Sequence, residues 1–257
     1  MKQQIRLPGI IGGLGPAAHI EFERRLLAES ARRGGRSDQD CPEWVLWSAT
    51  GVPERTSALL ANDTRVTVER IAEAARRLVA AGADFAAVPC NTAHALRDEV
   101  MALVPLPWLD LIDVTTEELA RRFERGSRVL VLATTGTLQT GLYRKRLREA
   151  GFEPVEFEVD SPEQTDVMRA IYDDDFGIKS TGTAVDERAV ALAKEALTKT
   201  PGTVCAIAGC TELSVAFATV SNPPLPLIDP LDALAVATYD VAAGKRPLPR
   251  LVASAVR

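Results

Sequence analysis

Short apolar runs alternate with longer segments in which apolar positions recur every three or four residues, and the alternation runs the length of the chain. The short runs predict buried strands and the longer segments amphipathic helices; strands alternating with helices imply parallel βαβ units. In the first half, Gly9-Ile-Ile-Gly12 predicts a strand and Gly13-Leu-Gly-Pro16 a turn. A helix follows from about Ala17 to Arg33, with Pro16 in its first turn, where a missing amide N–H is least harmful. Trp44-Val-Leu-Trp-Ser48 predicts the second strand, a loop carries the chain through Arg55, and a long helix runs from about Asp63 to Ala81. Asp84-Phe-Ala-Ala-Val-Pro89 leads as a third strand into Cys90, and Trp108-Leu-Asp-Leu-Ile-Asp113 predicts a last one.

The second half repeats this order. Arg128-Val-Leu-Val-Leu-Ala133 predicts a strand, Thr134-Thr-Gly-Thr137 a turn, and the next residues a helix to about Ala150. A strand at Pro154-Val-Glu-Phe-Glu-Val159 and helices over 162–174 and 186–199 lead to the strand Thr203-Val-Cys-Ala-Ile-Ala-Gly209 before Cys210, and then to Leu225-Pro-Leu-Ile-Asp229. The spacings agree: Gly13 to Cys90 is 77 residues, Thr135 to Cys210 is 75, and the pairs Ile112-Asp113 and Ile228-Asp229 follow their cysteines. Internal duplication is the simplest account. The expected fold is therefore α/β, with two pseudo-symmetric parallel-sheet domains: residues 1–114 with a returning segment 228–257, and residues 115–227. Ligands of open parallel sheets bind beyond the carboxyl ends of the strands. Two halves with those ends facing each other would place Cys90 and Cys210 on opposite walls of one cleft.

Composition narrows the function classes. The 257 residues, 46% hydrophobic, are enough for one large or two modest domains with a sizeable core. A net charge of −5, from 30 dispersed basic residues against 35 acidic ones, argues against a nucleic-acid surface. The pairs Arg24-Arg25, Arg32-Arg33, Arg76-Arg77 and Arg121-Arg122 read as solvated helix faces. No apolar run approaches the roughly 18 residues of a membrane span, and only a few apolar residues separate Lys2 and Arg6 from the Gly-rich turn, so a cytoplasmic protein is expected. Four cysteines without a leader point to a reducing compartment, and two histidines with no Cys-x-x-Cys pair argue against a cysteine-type zinc site. Cys41, in a polar loop, and Cys205, inside a strand, read as structural or incidental.

The candidate chemistry lies at the other two cysteines, each placed where a buried strand hands over to a helix-compatible segment. Unpaired amides at a helix N-terminus lower a thiol's pKa from roughly 8.5 and favour the thiolate that acts as base or nucleophile. Asn91 and Thr92 beside Cys90, and Thr211 and Glu212 beside Cys210, supply donors suited to a carboxylate, with Glu212 available for an ammonium group. His94 either faces the cleft and tunes Cys90 or has a packing role. Arg55, in a loop, offers a forked guanidinium for a carboxylate, and Lys179, bracketed by glycines, is placed to close over an anion. Gly13-Leu-Gly-Pro-Ala-Ala18 fits a loose dinucleotide fingerprint, but the acidic residue expected after the second strand is missing. A turn whose amides hold a carboxylate or shape the cleft fits better.

Together, Gly-Gly-Leu-Gly-Pro at 12–16, Val-Pro-Glu-Arg-Thr at 52–56, Cys-Asn-Thr-Ala-His at 90–94, Phe-Gly-Ile-Lys at 176–179 and Gly-Cys-Thr-Glu at 209–212 resemble the aspartate/glutamate racemase family over nearly the whole chain. The resemblance implies a cofactor-independent racemase, usually a homodimer, with Cys90 and Cys210 as its two bases. Arg55 and Lys179 would bind the side-chain carboxylate, and Asn91, Thr92, Thr135 and Thr211 the α-carboxylate of a small amino acid. Glu212 and His94 bring the chain nearer aspartate than glutamate racemases, while His19, where the family often has threonine, and Glu54, where aspartate is common, depart from the pattern. Maleate isomerase, hydantoin racemase and arylmalonate decarboxylase chemistries, a broad-specificity amino-acid racemase, and a two-lobed ligand sensor are the alternatives.

Overall fold

The computed structural model describes residues 5–251; Lys2 and residues 252–257 of the returning segment lie outside them. The chain divides into two compact units. The first ends at Leu111 and resumes at Leu231, and the second runs Ile112–Pro230.

The first unit is built from β1 (Pro8–Gly12), α1 (Pro16–Arg32), β2 (Val45–Ser48), α2 (Arg55–Leu60), α3 (Arg65–Ala80), β3 (Phe85–Ala87) and α4 (Arg97–Leu103). α5 (Leu111–Arg122) opens the second unit, followed by β4 (Arg128–Leu132), α6 (Thr135–Thr140), α7 (Leu142–Glu149), β5 (Glu153–Val155), α8 (Pro162–Tyr172), α9 (Ile178–Thr181), α10 (Glu187–Ala196), β6 (Cys205–Ala208), α11 (Thr211–Phe217) and β7 (Leu227–Ile228). α12 (Pro230–Ala242) carries the chain back to the first unit. Both sheets are parallel, ordered β2-β1-β3 and β5-β4-β6-β7, so each half places its first strand between its second and third. This is the α/β architecture that the alternating pattern predicts.

Central strands covered on both faces must be apolar throughout, and β1 and β6 are buried at every position. The edge strand β2 is only partly covered. Its Trp47 is solvent-exposed, with the Arg77 guanidinium 4.3 Å above the ring. In α3, Val68, Ile71, Ala72, Ala75 and Leu78 recur at helical spacing and form one buried face of the first core, with Ile11, Val88 and Trp108. Burying a side chain such as Leu78 contributes about 1.5–3 kcal/mol. The second unit has its own core around Val129, Val131, Tyr143, Leu147, Ile207 and Ile228.

Several sequence expectations need correction. The predicted strand 108–113 is a single bridge, Trp108 to Ala86, after which the helix α5 begins at Leu111. That bridge occupies the place of β7: Ala86 N–H donates to Pro107 O at 2.7 Å, as Ala206 N–H donates to Pro226 O at 2.9 Å. Because Trp108 pairs with Ala86 and Leu227 with Ala206, the residue equivalent to Asp229 is Asp110 rather than Asp113. The sheet registers likewise set Ile10 against Ala87 and Val131 against Ile207, each partner three residues before its cysteine, so Gly13 corresponds to Thr134 rather than Thr135. The helix expected to reach Ala150 is broken at Gly141, which has φ 65°.

The arginine pairs of α1 are not all solvated. Glu21 receives Arg25 at 2.9 Å and Glu29 receives Arg33 at 2.5 Å, and these arginines reach on to Asp232 at 2.7 Å and Asp240 at 2.6 Å of α12. Glu21, Arg25 and Glu29 are buried. Tyr239 Oη donates to Asp40 O at 3.1 Å and lies under the Arg33 guanidinium. This ladder at four-residue spacing ties the last helix to the first.

Candidate active site

In the first unit the site residues gather after the strand ends. β1 stops at Gly12, and Gly13 turns the chain with φ 78° so tightly that a Cβ there would lie 2.6 Å from Ala49 N and 2.7 Å from Thr50 N. Only glycine fits a left-handed residue pressed against backbone. The Gly13 N–H donates to His19 Nδ1 at 3.1 Å, which corrects the expectation that this amide is offered to a carboxylate. Burial holds His19 below its ordinary pKa of 6.5, in the neutral form that accepts such a bond.

Arg55 is not in a loop: it is the first residue of α2, whose N-cap Glu54 accepts from Ser57 N–H at 2.7 Å. Its buried guanidinium donates to Leu14 O and, at 3.2 Å, to Pro53 O, tying the glycine turn to the loop before α2.

Cys90 follows β3 by three residues, its N–H donating to Val88 O at 2.8 Å, and a 3₁₀ turn over Thr92–Leu96 begins two residues later. Cys90, Asn91, Thr92 and His94 are all buried. The His94 ring is committed to backbone and Trp108. Nδ1 lies 2.8 Å from Cys90 O, while Nε2 accepts from Trp108 Nε1–H and from Leu111 N–H, both at 3.1 Å. Two donors on Nε2 leave the proton on Nδ1, where it bonds the Cys90 carbonyl. Burial lowers the His94 pKa, so the ring is neutral. His94 therefore reaches the backbone of Cys90 and fixes where that residue sits.

In the second unit, Thr134 caps α6 and its hydroxyl accepts from Thr137 N–H at 3.3 Å. Gln164 of α8, a residue the sequence reading passed over, is buried and donates to Ala133 O at 3.0 Å and to Thr135 Oγ1 at 3.3 Å, orienting the Thr135 hydroxyl. Its only sequence signal is an amide on the otherwise apolar face of Val167 and Ile171.

Gly209 lets β6 pass close to β4: a Cβ there would meet Leu132 O at 3.0 Å. Cys210 then caps α11. Its Sγ donates to Glu212 Oε2 at 3.1 Å, and Glu212 Oε1 receives Lys179 Nζ from α9 at 2.7 Å. The Lys179 ammonium also lies 5.4 Å from the Tyr172 ring centre. Glu212, assigned to an ammonium group by the sequence, thus joins two other site residues.

The expectation that a helix terminus would acidify this thiol is overturned. Burial, then the Glu212 carboxylate, push Cys210 well above its ordinary value, and Lys179 only partly opposes them. Cys205, buried in β6, is pushed up to about 12 by burial. All four cysteines are free. Among the described residues no cluster of His, Cys, Asp and Glu forms a metal site, and no helix is long and apolar enough to cross a membrane.

Comparison with known proteins bears on the family and the fold. The sequence pattern of the Asp/Glu/Hydantoin racemase family matches residues 11–238. The solved structure of an aspartate racemase from Picrophilus torridus is similar, with a TM-score of 0.77 and 27% identity over 94% of this chain and 95% of that one. An aspartate racemase homologue from Pyrococcus horikoshii OT3 has a TM-score of 0.68 and 25% identity over 93% of this chain and all of the other, 100%. A broad-specificity amino-acid racemase from Bacillus subtilis (strain 168) is 29% identical over 148 residues, 57% of this chain and 63% of that protein, less than two thirds of its length.

Proposed function

The chain belongs to the Asp/Glu/hydantoin racemase family, and from that premise we propose that it interconverts the L- and D-forms of an acidic amino acid, aspartate or glutamate, by two-base proton transfer between Cys90 and Cys210 without a cofactor. The observation that carries the reading is the shared register: each cysteine stands three residues beyond a residue paired to its unit's central strand, Ala87 to Ile10 and Ile207 to Val131. Matching registers put a thiol just past the third strand of each sheet, which is the pair of groups that two-base chemistry requires.

Inversion removes the α-proton from one face and returns a proton to the other. One thiol, as thiolate, abstracts; the other, protonated, delivers; the roles exchange for the opposite enantiomer, and such groups typically contribute 10²–10⁴-fold each. Asn91, Thr92, Thr135 and Thr211 are the groups assigned to the α-carboxylate, where negative charge gathers as the proton leaves. Arg55 and Lys179 are assigned to the side-chain carboxylate, in keeping with the aspartate racemase among the similar structures. A wider substrate range is the second reading, favoured by the Bacillus subtilis relative.

The test is α-proton exchange in deuterium oxide, followed by NMR for each L-amino acid with protein freed of metal and pyridoxal. Exchange at aspartate or glutamate alone supports the first reading and exchange across many amino acids the second. No exchange at any amino acid discards both.

A further inference from the structure

The two-base scheme needs one thiol that bears a proton, and the second unit contains a device for holding one. The bond from Cys210 Sγ to Glu212 Oε2, 3.1 Å, has a direction, because an ionised carboxylate only accepts. Cys210 is 6% exposed and Glu212 3%. Ionising the thiol there would set two negative charges at hydrogen-bond distance away from water, which disfavours the thiolate strongly. Among the described residues, Glu212, from the same helix, and Lys179, from α9, both act on this sulfur, and they act in opposite directions.

We propose that Glu212 keeps the proton on Cys210 in the resting enzyme, with Lys179 as the counter-charge that lets the proton leave, so that Cys210 enters the reaction as the acid and Cys90 as the base. The inference rests on the two-thiol reading above. In the step itself the Sγ–H bond breaks, its proton forms the new Cα–H bond on the carbanion, and the electron pair stays on sulfur as thiolate. That thiolate then stands beside Glu212 with Lys179 at 2.7 Å from the carboxylate to offset the repulsion.

The sign of one substitution separates this role from its opposite. A Glu212 that served as a base to ionise Cys210 would make the thiol less reactive when neutralised; a Glu212 that holds the proton makes it more reactive. The experiment is iodoacetamide alkylation of the full chain without added amino acid, with each cysteine followed by peptide mass spectrometry across pH. In the wild type, Cys210 alkylation should climb roughly tenfold per pH unit through neutrality with no plateau up to about pH 9. Glu212→Gln should speed Cys210 alkylation near neutral pH by about tenfold or more, and Lys179→Met should slow it. A wild-type plateau below about pH 8, or slower alkylation in Glu212→Gln, overturns the proposal. Thiolate absorbance of wild type minus Cys210→Ser, titrated over the same range, reads the same proton with Glu212 untouched. Alkylation reports the resting thiol and exchange reports turnover. The expected alkylation pattern without α-proton exchange would leave the proton assignment standing and remove the racemase reading.

Discussion

The two thiol sites share a backbone plan and differ in the side chains that surround it. In the first unit the residues after Cys90 are the neutral Asn91 and Thr92, and the residue four positions on, His94, is a neutral ring bonded to the Cys90 carbonyl. In the second unit Thr211 is followed by the ionised pair Glu212–Lys179, and the residue four positions on, Ser214, donates to Asp229 Oδ1 at 2.7 Å. A repeated scaffold delivers two sulfurs to matching registers, and the side chains two and four positions later give them unlike electrostatic settings. One setting orients a thiol through its backbone; the other fixes a proton.

Removing each sulfur in turn should have the largest effect. Cys90→Ala and Cys210→Ala should each lower racemisation by about 100-fold or more, since each base contributes 10²–10⁴-fold. Circular dichroism should show both folded. Chiral chromatography of the product is the measurement, and a variant retaining more than about a hundredth of the wild-type rate contradicts two-base chemistry.

Arg55→Ala should lower kcat/KM for aspartate and glutamate roughly tenfold to several-hundredfold, with a smaller loss for alanine if alanine is turned over. Equal losses for all substrates would show that Arg55 acts only by holding Leu14 and Pro53, and dicarboxylate specificity would then fall.

His94 acts on stability. His94→Ala strands the buried Trp108 Nε1–H and Leu111 N–H and leaves a void, which should cost about 2–4 kcal/mol in urea unfolding. Its folded pKa lies below the ordinary 6.5, so the unfolded chain binds the proton more tightly. The stabilisation is fully present above about pH 6.5 and is lost as pH falls below it. His19 adds in the same direction. A urea midpoint that stays flat from pH 7 to about pH 5 would contradict both assignments. The smallest effect is expected at Cys205→Ala: full activity, with a stability loss of about 1 kcal/mol from one small buried group. Equal activity losses at Cys205 and Cys210 would mean that the sulfur in β6 had been misjudged.

Much of this was legible in the sequence because the physics there is local. Apolar runs such as Arg128–Ala133 between turn residues name buried parallel strands, and glycine-punctuated cysteine motifs mark strand-to-helix corners. Trp108–Asp113 was misread because an apolar run of that length suits either strand or buried helix start. Arg25 looked solvated because its partner Asp232 is more than two hundred residues away. The link from Lys179 to Glu212 was hidden for the same reason: each residue was visible as chemistry, but the distance between them is a product of packing α9 against α11. Gln164 gave little sign, since a single amide on an apolar face is also what a helix exposing one edge would show.

The ion ladder between α1 and α12 sets a timetable for biosynthesis. A ribosome releases Glu21, Arg25, Glu29 and Arg33 long before Asp232 and Asp240, and an uninterrupted stretch, Ile112–Pro230, emerges in between. The later-made unit has all of its sequence in one piece and is free to fold first, while the earlier-made one must wait with charged groups of α1 still in water. Nascent chains halted before residue 231 should therefore carry an unfinished first unit, the state in which chaperones and proteases would find this protein.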